Sequence, residues 1–381
     1  MRILHLCLAC FYIDGYNYQE NVLPRINAKD GHEVLIIAST ETFVDNMHLG
    51  YVKASEYTNE DGIPVVRLPF RNLGIQLLTT KIRIYPDLYS KIEAFHPDII
   101  MAHDLTFWSV RDVVKYKKAN PAVTFYADTH TAIYNSGRNW LSLNVLHRLL
   151  YKSLIKKTIP YLKKYFYIGQ KEKEFSLTNY HIPEGIMEFF PLGGIIPDAD
   201  EYQKIRRQYR SGLDITEQDK LFLHTGKLDV LKKTKDLLIA FHNVQNSTFK
   251  LAIIGSISKD IKEEIEELIR LDNRVVFLGW KNQEDLFGYL CASDLYCQPG
   301  SVSATLQNAI CCFNPIMSFP HTGYANLDVG NFIWVKDTNE MIDAFKRLSS
   351  GEIDLKELQQ CSEQCAREIL DYRKLAARLY E

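Results

Sequence analysis

The sequence predicts an α/β protein of two Rossmann-like, doubly wound domains that face each other across a cleft. Three observations carry this. Short β-branched and leucine-rich runs alternate with helix-period segments along the whole chain. The alternation restarts after a Pro- and Gly-rich stretch, FFPLGGIIPDAD at 189–200. The length, 381 residues, suits two domains of ordinary size.

In the first half, RILHLCLA reads as a strand, followed by a loop with Gly15. YQENVLPRINAKD reads as a helix closed by Gly31, and HEVLIIAS as the second strand. GIPVVRLPF is the third strand, and KIRIYPDLYSKIEAF is helical in its later part. PDIIMAHD (strand), SVRDVVKYKKAN (helix) and VTFYAD (strand) continue the pattern. In the second half FKLAIIGS, RVVFLGW and NPIMSF read as strands, and KLFLHTGKL and DLYCQPG as strand and loop. The helices between and after them are KTKDLLIAFHNV, KDIKEEIEELIRL, NQEDLFGYLCAS, SATLQNAICC and TNEMIDAFKRLSS. In such sheets ligands bind outside the carboxyl ends of the strands.

The bulk numbers narrow the classes. Apolar residues make up 46% and charged residues 24%, a soluble globular composition. A net charge of -2 and the lack of a recognised nucleic-acid module argue against a nucleic-acid partner. The eight cysteines sit mostly in apolar runs, as buried thiols of a reducing compartment do. Cys7 and Cys10 are expected on opposite faces of the first strand, and no second pair completes a zinc set. The N-terminal apolar run is compatible with a signal peptide, but no small-residue cleavage site follows, so a first buried strand is expected. No run of 18 apolar residues suggests a membrane span. No G-x-G-x-x-G follows the first strand, against an oxidoreductase.

Five stretches carry chemistry. HTGKLDVLKKTKDLLIAF, 224–241, places Lys227 and Lys232 after Gly226 and before a helix, a seat for phosphate. CQPGSVSATLQNAICC, 297–312, runs from a strand end through Gly300, Ser301, Val302, Ser303 and Thr305 into a helix with Asn308, and holds no carboxylate. Ser303 as an N-cap would account for this stretch without a ligand. IDGYNYQENVLPR, 13–25, gives Gly15, where backbone can approach closely, among Asp14, Tyr16, Tyr18, Gln19, Glu20 and Asn21, a set suited to sugars. Glu20 and Asn21 equally fit a solvated helix start. YADTHTAIYNSGRN, 126–139, carries His130 with Asp128 and Arg138, and MAHDLTFW carries His103 and Asp104 at the preceding strand end.

This order of elements and motifs resembles the GT-B fold of retaining, nucleotide-sugar-dependent glycosyltransferases, with family four the best match, over nearly the whole chain. The resemblance implies an acceptor-binding domain at 1–190, a donor-binding domain at 191–365 and a last helix, 366–381, that crosses back. It implies a donor-diphosphate role for Lys227, at the family's Arg position, and for Lys232. It implies a donor-sugar contact for His130. Where the family carries two glutamates, this chain has Gly300 and Asn308 in a loop about three residues shorter. Donor contacts would then come from Gly15, Gly226 and Gly300 backbone and from Ser301, Val302, Ser303, Thr305 and Asn308. Acceptor contacts would come from Asp14, Tyr16, Tyr18, Gln19, Asn21, His103, Asp104 and Arg138. The implied chemistry is retention without a covalent nucleophile, with no cofactor and no metal. The implied setting is cell-surface polysaccharide or glycolipid assembly, in the cytoplasm or peripheral on the inner face of the plasma membrane. The missing acids also fit a catalytically silent GT-B subunit bound to a partner glycosyltransferase.

From Thr129 to Lys171 there is no Asp or Glu. Arg138, Arg148, Lys152, Lys156, Lys157, Lys163, Lys164 and Lys171 border a run containing Trp140, Leu141, Leu143, Leu146, Leu149, Leu150, Tyr151, Leu154 and Ile155. The span 138–165 is expected to lie on anionic lipid, consistent with a lipid-linked acceptor. The same pattern fits a helix packed on the sheet with a solvated basic face.

Overall fold

The computed structural model describes residues 1–45, 48–133, 135–137 and 139–381. The chain forms two compact units, one of 1–191 with 372–381, the other of 192–371. The return to the first unit thus begins at Tyr372, and 366–371 stay with the second.

The first unit is built on eight strands. They are β1 (Arg2–Cys7), β2 (Glu33–Ser39), β5 (Ser55–Thr58), β6 (Pro64–Leu68), β7 (Ile99–His103), β8 (Thr124–Thr129), β9 (Lys164–Tyr167) and β10 (Met187–Phe189). A separate antiparallel hairpin, β3 (Glu41–Asp45) and β4 (His48–Tyr51), follows β2. The sheet order is β10-β9-β8-β7-β1-β2-β6-β5, parallel throughout except for β5 against β6. The chain winds outward from β1 through β2 to β6, then restarts at β7 on the other side. The topological switch point therefore lies between β1 and β7, the usual ligand position in an open α/β sheet. Unbroken apolar runs such as Ile99–Ala102 suit strands covered on both faces.

The sequence reading missed β3, β4 and β5. Their residues, such as Glu41, Thr42, Asp45 and Ser55, are polar, and none of these strands lies inside the parallel sheet. An edge or hairpin strand lacks the apolar run by which buried strands are read. Also missed were β9, β10, the short strand Phe332–Trp334 and helices Ala199–Ser211 and Leu355–Cys365. Helix Ala199–Ser211 starts on Asp198, whose carboxylate accepts from Glu201 N at 2.8 Å.

The second unit has six parallel strands: β11 (Lys220–Leu228), β12 (Phe249–Ile257), β13 (Val275–Phe277), β14 (Leu295–Gln298), β15 (Ile316–Ser318) and β16 (Phe332–Trp334). Their order is β13-β12-β11-β14-β15-β16, with the switch point between β11 and β14. One core cluster joins Phe222, Leu251, Ile253 and Leu295 of the sheet to Leu237, Phe241 and Phe345 of the helices. In the first unit the terminal helix, Tyr372–Ala377, buries Tyr372, Leu375 and Ala376 against Ile3, Met101, Tyr126 and Phe166.

All eight cysteines are free thiols. β1 stops at Cys7, so Cys10 lies in the following loop. The two thiols are therefore not on opposite faces of one strand.

Candidate functional site

In the second unit, the carboxyl ends of β11 and β14 bring the two loops of interest together. Gly226, at φ +141°, stands where a Cβ would lie 2.9 Å from Lys232 Cε. Gly300 is packed harder: a Cβ there would lie 2.1 Å from the Leu231 carbonyl oxygen. Ser301 N also donates to that carbonyl, at 2.9 Å. The loop after β14 is thus pressed onto the loop after β11, and position 300 has no room for any side chain. This is a physical reason for the absence of an acid there.

The two glycines leave a slot that Lys232 fills. Lys232 is only 7% exposed, and its Nζ donates to the Ser301 carbonyl at 3.3 Å. The described residues provide no ion pair for it. Burial lowers its pKa from the ordinary lysine value, and Asp229 opposes this. A buried ammonium without a carboxylate is costly unless another anion completes it. Lys227 is exposed. Beneath them the floor is a neutral network. His224 bridges the Cys297 carbonyl at 2.8 Å and Thr234 Oγ1 at 2.9 Å. Burial drives its pKa down to about 4, so it is an uncharged strut. Gln298 Nε2 donates to the Ser301 carbonyl at 2.6 Å and to Tyr324 Oη at 3.1 Å.

Of the remaining residues there, Ser301, Ser303 and Thr305 are half-buried, and Val302 and Asn308 are exposed. The Ser303 hydroxyl accepts from Thr305 N at 3.2 Å, so it is already engaged at the start of helix Thr305–Cys311. Sequence reasoning missed His224 and Gln298. Both lie inside strands, and only the tertiary contacts give them partners.

In the first unit, a buried polar chain crosses the carboxyl ends of β8, β7 and β1. Asp128 Oδ2 accepts from His103 Nδ1 at 2.7 Å, and His103 Nε2 meets His5 Nδ1 at 3.2 Å. His5 Nε2 meets Asn27 Oδ1 at 2.9 Å. Burial drives His5 down to about 3, so it is neutral and donates through Nε2 to Asn27. His103 is opposed by burial, but the Asp128 carboxylate overrides this and raises it well above the usual imidazole value. The chain therefore reads carboxylate, imidazolium, neutral imidazole, amide. Asp128 has a second neighbour: His130 Nε2 lies 3.8 Å from the same oxygen, within ion-pair range, and that buried nitrogen has no hydrogen-bond partner. Burial opposes its charge, yet Asp128 pushes His130 up to about 9, so it is a cation at neutral pH. Gln19 Nε2 reaches Asp128 Oδ2 at 3.4 Å, while its Oε1 is also buried and unpartnered.

The other first-unit residues divide. His103 and Asp104 are buried. Asp104, at φ +66°, is occupied by Thr131 Oγ1 and by Thr106 N. Asn21 Nδ2 ties helix Gln19–Lys29 to the Ile13 carbonyl at 2.9 Å, and Glu20 is buried as well, so neither faces water. Gly15, at φ +76°, gives its N–H to Glu60 Oε1 at 2.8 Å. Asp14 and Tyr18 are exposed, and Tyr16 is half-buried. Arg138 lies outside the described residues. Among the described residues, no cluster of three or more His, Cys, Asp or Glu side chains is placed to hold a metal ion.

The described residues of the span 138–165 pack along one side, as the helix-on-sheet reading expects. Tyr151, Leu154 and Ile155 are buried, and Leu143, Leu146 and Leu150 pack on the first unit's core. A second apolar stripe, Trp140, Leu141, Val145 and Leu149, is exposed, with Trp140 at 73%. No described helix is long and apolar enough to cross a membrane.

Two Rossmann-like units, each with its polar residues gathered at the switch point of its sheet, define the GT-B class of glycosyltransferase fold. Residues 219–350 match the family described as glycosyl transferases group 1. No curated protein matches the chain. Among solved structures, the chain is similar to a glycosyltransferase from Rickettsia africae ESF-5, at 14% identity over 99% of this chain and 96% of that one, with a TM-score of 0.67. It is similar to Anabaena Alr3699/HepE in complex with UDP, at 14% identity over 99% and 98%, TM-score 0.60. It is also similar to WaaG, a glycosyltransferase involved in lipopolysaccharide biosynthesis, at 16% identity over 99% of both chains, TM-score 0.60.

Proposed function

We propose that this protein is a retaining glycosyltransferase that moves a hexose-type sugar from a nucleotide-diphosphate sugar to a saccharide or lipid-linked acceptor. The observation that carries this is Lys232, an ammonium buried at a switch point with no carboxylate partner among the described residues. A donor diphosphate would complete it. As the glycosidic bond breaks, the leaving diphosphate gains negative charge, which Lys232 and Lys227 stabilise from fixed positions. The acceptor hydroxyl attacks from the face the diphosphate leaves, and a leaving phosphate oxygen takes its proton. His130, held as an imidazolium by Asp128, donates an N–H to a sugar hydroxyl and is not a base at neutral pH. Lysines fill the role a divalent ion would otherwise take, and no metal is required. The fold likeness to a protein solved with UDP makes UDP-sugars the first donors to try.

The exposed stripe Trp140, Leu141, Val145 and Leu149 beside Arg148, Lys152, Lys156 and Lys157 supports docking on an anionic membrane surface. A lipid-linked acceptor for polysaccharide or glycolipid assembly fits such a position.

The test is a thermal-shift screen of nucleotide sugars, since a ligand that binds only the folded chain raises the melting temperature by mass action. Product analysis by NMR in EDTA then reads the anomeric configuration. Donor hydrolysis or transfer with retention supports the proposal. Nucleotide binding with no turnover on any acceptor favours the silent-subunit alternative, and inversion or a strict metal requirement refutes the mechanism.

A further inference from the structure

A cavity of about 420 Å³ opens on the first unit, between the loop after β1 and the β3–β4 hairpin, over β5 and β6. It lies at the carboxyl ends of the strands, and its volume falls within the range of small-ligand sites. At its base Arg67 is buried and already committed. Its Nε donates to Tyr57 Oη at 2.9 Å, Nη1 to the Ser39 carbonyl at 3.1 Å, and Nη2 to the Tyr12 carbonyl at 3.1 Å and to Asp14 Oδ2 at 2.9 Å. Tyr57 Oη donates to Asp14 Oδ2 at 2.8 Å. Asp14 is therefore a carboxylate pinned by a cation and a phenol, yet its side chain is 40% exposed and lines the cavity. Tyr16 and Phe43 meet edge to face at 5.5 Å in the wall.

We propose that this cavity is a saccharide subsite for a pyranose unit that carries no acidic group. The inference deepens the acceptor side of the function proposed above and rests on that reading. A carboxylate held rigid before binding accepts hydrogen bonds from neighbouring sugar hydroxyls with little ordering cost. Tyr16 and Phe43 cover the apolar C–H faces of the ring. The lining chain supplies the selectivity. Its charged members are Asp14, Asp45 and Arg67, two acids to one base. Four N–H groups of Arg67 are already used inside the protein, so the cation has little left to offer a uronate or phosphate. An acidic sugar would meet the exposed face of Asp14 without a compensating donor.

The experiment is saturation-transfer NMR on the full chain with methyl glucoside, methyl galactoside, methyl mannoside and glucuronate. UDP, GDP and ADP binding is followed on the same samples. At least one neutral glycoside should bind, and glucuronate should not. Asp14→Asn, which keeps the shape and one oxygen to accept from Tyr57 and Arg67 but removes the charge and its ion pair, should weaken the glycoside about tenfold or more. Tyr16→Ala, at a ring that packs on Tyr18 and Phe43, should weaken it too, and it carries the test if the first variant fails to fold. Glucuronate binding as well as the neutral glycosides, no neutral binding at all, or unaltered binding by a folded variant would overturn the inference. Nucleotide binding separates the readings: if it persists while glycoside binding fails, only the subsite is wrong. If no nucleotide binds, the donor reading falls.

Discussion

Replacing Lys232 with Met should separate donor binding from stability, with opposite signs. In the free protein Lys232 is a buried residue, 7% exposed, and it has no carboxylate partner among the described residues. Its one hydrogen bond goes to the Ser301 carbonyl, which also accepts from Gln298 Nε2 at 2.6 Å. Removing the ammonium therefore leaves no orphaned acceptor, while methionine keeps most of the apolar stem in the slot beside Gly226. The melting temperature should hold or rise, because a desolvated charge is lost. With a diphosphate bound, a unit charge at about 4 Å is worth roughly 4 kcal/mol at an effective dielectric of 20. Loss of one preorganised donor to a developing charge costs about 10²–10³ in rate. The expected result is a kcat/KM lower by about 10²-fold or more, with nucleoside diphosphate affinity reduced in parallel by calorimetry. Lys227→Ala, at an exposed position, should cost a similar factor in kcat/KM and nothing in stability beyond about 0.5 kcal/mol. A Lys232→Met protein that melts several degrees lower yet binds nucleoside diphosphate as before would refute this reasoning and make the lysine a structural prop.

Three other outcomes are expected. Gly300→Ala, whose Cβ would stand 2.1 Å from the Leu231 carbonyl, should cost about 1–3 kcal/mol by denaturant unfolding and also depress nucleotide binding; unchanged stability would show that the loop yields freely. Asp128→Asn should destabilise the chain by about 3–5 kcal/mol at neutral pH, because it strands a buried imidazolium. His103 has a folded pKa raised from 6.5, so its contribution is complete below that value and is lost as pH rises through the raised one. Asp128 is depressed from 3.8, so its contribution is present above that value and is lost as pH falls. The stability gap between wild type and variant should therefore narrow toward both extremes of pH, and a gap constant with pH would contradict the charge assignment. Vesicles rich in anionic lipid should retain the protein and neutral ones should not, each basic residue near the surface contributing roughly 1 kcal/mol. Gln at Lys152, Lys156 and Lys157, or Ala at Trp140 and Leu149, should release it without lowering the melting temperature. Equal binding to both vesicle types would make the stripe an ordinary surface.

By itself the sequence determined the two α/β halves and most of their buried strands and helices, because periodicity and apolar runs are local properties of the chain. It also placed Gly226, Lys227, Lys232, Gly300 and His130 at or just beyond strand ends, since strand, glycine, loop and helix follow one another in a few residues, although β11 runs on through Gly226 and Lys227 to Leu228. What it could not determine were properties set by partners far along the chain. That Gly300 is excluded from bearing an acid depends on Leu231, and that His130 is a cation depends on Asp128, whose carboxylate outweighs burial and the opposing charge of His103. His103 and Asp104, placed by their sequence position with the lining residues, are buried because Asp128 and Thr131 reach them from the next strand end. The hairpin and edge strand that form the cavity have no apolar pattern to announce them, and their register is decided by the sheet and loops against which they fold. Burial, charge state and the space left at a glycine are sums over neighbours brought together only by the tertiary fold, so they cannot be read from any single stretch of sequence.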